Sequence, residues 1–331
     1  MNHRDQLRAT FIYECGWGKA ECTFLAGDCS NRTYYRIRSA SGKTAVIMDA
    51  YGEEEKIEEF VHISQLLNQW GCSAPHVLQV DWKNRFLLLE DLGDHTFTRC
   101  LQQGVSADTL YEVAIDAIIH LHQSVAGSDF REFPSYNFQE MKEKVDLFLH
   151  WYYPYVYKQQ PSEKATLHWN EAWEEVLSLL EAGPKTLILR DFHVDNLLWL
   201  SERAGIKQCG LLDFQDAAIG PLTYDLVSLL EDVRQDVPED LTQRLLSRYL
   251  AAFPSLDREE FMAQYYMVGA QRVIRIMGVF VRMLQKNSRS HYMQFIPRAW
   301  KWLENDLKHD NLESIRCWFE GYFPTETRRA L

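Results

Sequence analysis

Short runs rich in Val, Ile, Leu, Phe and Tyr recur along the first part of the chain: Cys22–Ala26, Thr33–Arg38, Thr44–Ala50, Val77–Trp82 and Arg85–Glu90. Gly27-Asp28, Ser41-Gly42 and Lys83-Asn84 punctuate them. Turn formers between apolar runs of this length predict strands joined by tight connections. Between the third and fourth runs the period changes. Ile57, Phe60, Val61, Ile63, Leu66, Leu67 and Trp70 fall at helical spacing, which predicts one helix over Glu53–Trp70. Acidic residues crowd its first turns, where the helix dipole favours them, and Gly71 follows its end.

After Glu90-Asp91-Leu92-Gly93 helical periodicity takes over. Leu110–Val125, Glu140–Tyr152, Glu163–Ala182, Leu222–Arg234, Leu241–Phe253, Glu259–Lys286 and Gln294–Leu307 read as helices. A β-rich island interrupts them at Thr186–Arg190, Leu197–Leu200 and Cys209–Leu212. The pattern predicts an α+β chain of two unequal parts. Residues 1–93 form an antiparallel sheet with one helix, and residues 94–331 form a mainly helical part with a small embedded sheet. A β-rich lobe, a short hinge and a helical lobe describe a cleft enzyme.

Composition narrows the function classes. With 46% hydrophobic and 25% charged residues among 331, the chain is an ordinary globular protein. A net charge of -12 argues against a protein that tracks nucleic-acid phosphates. The apolar stretch Val268–Leu284 carries Arg272, Arg275 and Arg282, which a membrane span rarely tolerates. The polar N-terminus has no signal-peptide pattern, and the seven cysteines are scattered without a C-x-x-C pair. The expectation is a soluble cytoplasmic protein with reduced thiols, without a nucleic-acid, membrane or obligatory protein partner.

The chemistry concentrates in Leu189-Arg190-Asp191-Phe192-His193-Val194-Asp195-Asn196 and Leu211-Leu212-Asp213-Phe214. An Asp with an Asn five positions later, after a short apolar strand, is how a kinase catalytic loop is built. The Asp takes or orients the acceptor hydroxyl and the Asn helps hold magnesium. A second Asp after the next strand completes the metal site, because phosphoryl transfer spreads negative charge over oxygens that a hard cation neutralises.

These segments resemble the aminoglycoside phosphotransferase family of small-molecule kinases, whose fold is related to that of protein kinases. Its catalytic loop commonly reads H-G-D-x-H-x-x-N. The resemblance extends to Gly220-Pro221, Tyr224-Asp225-Leu226, Leu25–Arg32 and Leu88–Gly93. It implies a bilobal protein-kinase-like fold and an ATP- and Mg2+-dependent enzyme, with Asp191 as catalytic base and Asn196 and Asp213 as metal ligands. Ser30, Asn31 and Arg32 would close over the nucleotide phosphates, and Glu90 and Leu92 would form the hinge against the base. His193 would brace the loop, Asp195 would be a solvated acid, and Asp225 would cap backbone donors or support the loop. Gly16-Trp17-Gly18 and the segment from Gly269 to Arg298 are similar to the members that phosphorylate N-acetylmuramate and N-acetylglucosamine on the C1 hydroxyl in bacterial cell-wall recycling. A kinase of another small alcohol (an aminoglycoside, choline or homoserine) and an impaired nucleotide-binding module remain alternatives.

The chain departs from the kinase pattern at one position. The third strand reads Ala45-Val46-Ile47-Met48-Asp49, without the lysine that normally reaches the phosphates. Arg32 or Lys43 would supply that charge instead. At the acceptor end, Asp232 and Arg272 are the expected sugar contacts, since an arginine suits a carboxylate by bidentate pairing. Trp151, Tyr152, Tyr153, Tyr155, Tyr157, Trp169 and Trp173 fit helix packing in the main, with a sugar platform as the other use of such faces.

Overall fold

Alternation along the first strands is resolved into one sheet. In a computed structural model, which describes residues 2–27, 32–52 and 56–329, five antiparallel strands run in the order β1-β2-β3-β5-β4. They are β1 (Glu21–Gly27), β2 (Arg32–Arg38), β3 (Thr44–Ala50), β4 (Val77–Asp81) and β5 (Phe86–Leu89). β3 is central and its Ala45–Ala50 stretch is buried throughout, which explains why it reads as a continuous apolar run rather than an alternating one. The helix predicted between β3 and β4 spans Ile57–Gln69, while the first residues of the predicted segment, Glu53, Glu54 and Glu55, lie outside the described residues.

Four shorter strands follow: β6 (Lys185–Ile188), β7 (Leu197–Trp199), β8 (Cys209–Leu211) and β9 (Ala218–Pro221). The expected single embedded sheet is instead two separate ladders, β6 with β9 and β7 with β8. β9 escaped the pattern because Gly220-Pro221 reads as a turn.

Contacts divide the chain into two units, residues 1–124 with 195–216, and residues 125–194 with 217–331. In the first, an N-terminal helix (His3–Ile12) packs Phe11 and Ile12 against Ile37, Ala45, Ile47, Phe86 and Leu88. Sequence periodicity missed this helix because charged residues dominate it, but its cap was visible. The Asn2 side chain accepts from Asp5 N–H at 2.8 Å and Asp5 accepts from Asn2 N–H at 3.2 Å, a reciprocal capping box. The β7–β8 hairpin joins this unit through Leu211 N–H to the Ser73 carbonyl at 2.8 Å and Trp199 N–H to the His95 carbonyl at 2.7 Å.

The second unit is helical. Its helices include Phe138–Leu147, Glu163–Ala182, Tyr224–Leu230, Glu239–Ala252, Arg258–Asn287, Ile296–Asp306 and Glu313–Tyr322. Phe148 stacks on Tyr152 and Trp169 at 4.9 and 5.6 Å, and Trp300, Trp318, Phe319 and Phe323 close around it. Tyr152, Trp169 and Trp173 are fully buried, so for these three the expected helix packing is what the structure has. Helices Phe138–Leu147 and Arg258–Asn287 touch backbone to backbone at Gly278, where a Cβ would meet the Leu147 carbonyl carbon at 2.4 Å. No helix among the described residues is long and apolar enough to cross a membrane.

Candidate active site

The first unit contains a cavity of about 400 Å³. Apolar side chains line much of it: Leu25, Ala26, Val46, Leu89, Leu198 and Leu212. Its polar lining comes mainly from two stretches of sequence, Glu90–Asp94 and Asn196 with Asp213. An apolar cavity with a few polar groups suits a small-molecule ligand, and the Asn196–Asp213 group is of the oxygen-donor type that suits a hard cation.

The Asn196–Asp213 group is built by the β7–β8 hairpin. Leu212 N–H donates to the Asn196 carbonyl at 3.0 Å, which brings the Asn196 and Asp213 side chains together. The Asn196 amide donates to Asp213 Oδ2 at 3.5 Å, and Gln215 donates to Asp213 Oδ1 at 2.9 Å. Asp213 has φ +58°, a left-handed conformation that Asp tolerates better than most residues. Phe214 fixes it from behind, buried against Phe60 at 4.9 Å between ring centroids. Asp213 and Asn196 lie side by side, and carboxylate and amide oxygens are the donor types that suit magnesium, which takes one or two protein oxygens together with phosphates and water.

Arg32 opens β2 and reaches this point: its guanidinium lies 3.2 Å from Asp213 Oδ1. Lys43, the other cation considered for the phosphates, precedes β3 at the opposite end of the β2–β3 hairpin, since Arg38 pairs with Thr44 and Arg32 with Ala50. Six residues of strand separate the two ends by about 20 Å. Of these two cations, the geometry therefore favours Arg32. Asp49, at the end of β3, is buried and engaged elsewhere, accepting from Arg4 Nε at 2.8 Å and Arg8 at 3.5 Å. Glu58 faces Arg85 at 3.8 Å. Ser30 and Asn31, expected over the phosphates, lie outside the described residues.

The segment Glu90–Asp94, the expected hinge, is held by charge. Arg36 grips Asp91 at 2.7 and 2.9 Å and Asp94 at 2.6 Å. Burial works to raise the Asp91 pKa, but Arg36 and the Gly93 N–H outweigh it and hold the carboxyl below its usual range. Glu90 is tied to Arg203 at 2.6 Å and gives its N–H to the His76 carbonyl at 2.9 Å. Leu92 lines the cavity, and its N–H has no protein acceptor among the described residues.

In the second unit, β6 runs directly into Leu189-Arg190-Asp191. Asp225, in the first turn of helix Tyr224–Leu230, accepts from Leu189 N–H at 2.6 Å and Arg190 N–H at 2.9 Å. Burial pushes its pKa up to about 7 against the pull of those two donors. Asp225 thus supports the loop. Arg190 has φ +72°, the region that favours the glycine of H-G-D. Here an arginine is held in it, with Glu140 3.1 Å from its guanidinium and the Tyr136 ring beneath at 5.0 Å. His193 is buried, and burial with Arg234, Arg272 and Arg275 nearby keeps it neutral, which fits a bracing role. In the first unit, Asp195 is exposed and accepts from the Thr98 hydroxyl.

A model of the phosphotransferase enzyme family matches residues 21–261. The chain belongs to that family. This phosphotransferase is 32% identical to the N-acetylmuramate/N-acetylglucosamine kinase of Caulobacter vibrioides over 99% of both chains. It is 31% identical to the enzyme of the same name from Pseudomonas aeruginosa, over 90% of this chain and 88% of that one. Among solved structures it resembles a choline/ethanolamine kinase family protein from Mesorhizobium loti, with TM-score 0.64, 13% identity and 95% and 98% of the two chains covered. It also resembles the gentamicin complex of APH(2")-IIa, with TM-score 0.62, 14% identity and 94% and 98% coverage. The phosphotransferase therefore has the α+β, bilobal protein-kinase-like fold and is a kinase acting on a hydroxyl acceptor.

The predicted site residues fall into two groups. Arg32, Glu90, Leu92, Asn196 and Asp213 gather around the cavity of the first unit. Asp191, Asp232 and Arg272 belong to the second. Asp232 is fully buried, accepting from Arg234 N–H at 3.0 Å, and Arg272 is 3% exposed. Sequence reasoning passed over Lys144, Arg190 and Glu140. The signal for Arg190 was available, since it replaces the family's glycine. Lys144 and Glu140 carried none, being charges on a helix face like any other.

Proposed function

We propose that the chain is an ATP- and magnesium-dependent kinase that phosphorylates the C1 hydroxyl of N-acetylmuramate and N-acetylglucosamine, in peptidoglycan recycling in the cytoplasm. The observation that carries this reading is the match to an enzyme named for these two sugars over 99% of this chain and 99% of that one. Within the chain, residues 1–93 are the nucleotide-binding lobe with its hinge, and 94–331 the lobe bearing the catalytic loop and the sugar site. No protein partner is part of the reading.

The residues take the following roles. The base lies in the apolar slot of the first unit with Leu92 N–H and the Glu90 backbone at its edge. Ser30 and Asn31 cover the phosphates. Arg32, released from Asp213, supplies the charge that the third strand lacks. Asn196 and Asp213 would hold magnesium, which when bound neutralises charge on the transferring phosphate. Asp191 orients the acceptor hydroxyl and takes its proton as the hydroxyl oxygen bonds to the γ-phosphorus and the bond from that phosphorus to the β–γ bridging oxygen breaks, releasing ADP. Asp232 and Arg272 act at the acceptor end, from beneath, because both are closed to solvent.

A cationic acceptor such as choline or an aminoglycoside is disfavoured by the second unit's own charges. Arg275 sits within electrostatic reach of Asp191, with Lys144 and Arg190 close by. The test is ADP release with ATP and magnesium against N-acetylmuramate, N-acetylglucosamine, an aminoglycoside, choline and homoserine, with NMR of the product. Phosphate on C1 of either acetylated sugar is the expected result. Turnover of only another acceptor, or phosphate on another carbon, would overturn the substrate reading.

A further inference from the structure

In a protein of net charge -12, the second unit collects four cations at one place. Lys144 lies on helix Phe138–Leu147, Arg275 and Arg282 on helix Arg258–Asn287, and Arg190 beside the catalytic acid. The crossing at Gly278 is what brings them together. Arg275 and Arg282 sit on one stripe of their helix, on either side of that glycine, and Lys144 lies one turn before Leu147, the residue the glycine touches. Two of the four are satisfied: Arg190 by Glu140 at 3.1 Å and Arg275 by the Tyr224 hydroxyl at 3.0 Å. Lys144 and Arg282 make no hydrogen bond or ion pair among the described residues, although both are partly buried.

That arrangement is unfavourable on its own. Burial together with the charges of Arg275, Arg190 and Arg282 pushes the Lys144 pKa down, with Glu140 pulling the other way. Partly buried cations without partners are retained where an anion comes to them. Nucleotide phosphates already have Arg32 and the Asn196–Asp213 pair in the first unit.

We propose that Lys144 and Arg282 receive a carboxylate on the acceptor, so that this pair selects an anionic sugar over its neutral counterpart. The inference rests on the amino-sugar reading above and adds to it which of the two sugars each residue recognises. N-acetylmuramate differs from N-acetylglucosamine by a lactyl ether whose carboxylate is the group that the pair would bind. Arg275, already held by Tyr224 and within electrostatic reach of Asp191, acts on the proposed catalytic base instead. The expected sugar contact Arg272 lies deeper, one turn before Arg275, and stays behind the site.

The test is kcat/KM for both sugars with the full chain, ATP and magnesium, in the parent and in Lys144→Met, Arg282→Met and Arg282→Lys. Each methionine variant is expected to lower the ratio of N-acetylmuramate to N-acetylglucosamine by about tenfold, and Arg282→Lys to recover much of it. The KM for N-acetylmuramate should also rise with salt more steeply than that for N-acetylglucosamine. A ratio unmoved in both methionine variants, or a parent that turns over only N-acetylglucosamine, would overturn this proposal alone. A rise in the KM for ATP with no change in the ratio assigns the pair to nucleotide phosphate and overturns it too. A parent active on neither sugar overturns the substrate reading, and this proposal with it.

Discussion

Arg190 and Asp213 hold φ of +72° and +58°, each beside a group with a proposed catalytic role. A left-handed backbone at a residue with a side chain costs about 1–2 kcal/mol. Asp225 offsets the first through two charge-assisted bonds to the loop, each contributing about 1.5–3 kcal/mol. Because that support comes from Asp225, replacing Asp191 leaves the loop in place. Asp191→Asn is expected to lower kcat at least about 100-fold while the melting curve and ATP affinity stay near those of the parent. An active-site titration with circular dichroism melting checks both halves. Arg32→Met is expected to raise the KM for ATP about tenfold, because one charge-assisted phosphate contact is lost. Lys43→Met, at the far end of the same hairpin, serves as its control in the same assay, with KM within about twofold of the parent.

Among the elements, the crossing at Gly278 is the most exacting contact in the second unit. A methyl group there would sit 2.4 Å from the Leu147 carbonyl carbon, which is backbone and cannot turn aside. Gly278→Ala is expected to destabilise the protein by about 1–3 kcal/mol, read as a lower midpoint in urea unfolding, and to separate Lys144 from Arg282. The helices on either side were legible from periodicity, and Glu163–Ala182 matches residue for residue. Their crossing was not, because a glycine in an apolar run does not say which backbone it meets. The segments with proposed catalytic roles stood out for a different reason: Asp191, Asn196 and Asp213 are close in sequence, so local spacing carried them. Lys144 and Arg282 are far apart in sequence, and only packing gives them a common purpose. The N-terminal helix was obscured by its own function, since Arg4 and Arg8 face inward to Asp49 where an apolar residue was the expected marker.

At the scale of the whole molecule, stability should carry a pH signature from a buried acid pair. Glu231 and Asp306 converge on Gly269, where a Cβ would meet an oxygen of each at 2.6 Å. Burial pushes Glu231 up to about 8, and burial with Glu231 alongside raises Asp306 well above the usual range. The folded chain keeps these protons where the unfolded chain, with carboxyls near 4, has released them. The stability that this pair contributes is therefore fully present at and below the unfolded value and is lost as pH rises toward 8. Glu231→Gln is expected to flatten that fall, measured as the melting temperature between about pH 5 and pH 8. A second whole-chain property follows from the β7–β8 hairpin, which helps line the cavity of the first unit although its sequence comes after most of the proposed catalytic loop. Ser73 waits for Leu211 and Gly210 before its edge is paired. During translation the first 124 residues leave the ribosome with one wall of their cavity still unsynthesised. At about 5–20 residues per second, that wall arrives several seconds later. Through that interval the proposed nucleotide site lacks a wall, so early folding rests on the sheet and on the helices of the first 124 residues, His3–Ile12 and Ile57–Gln69 among them.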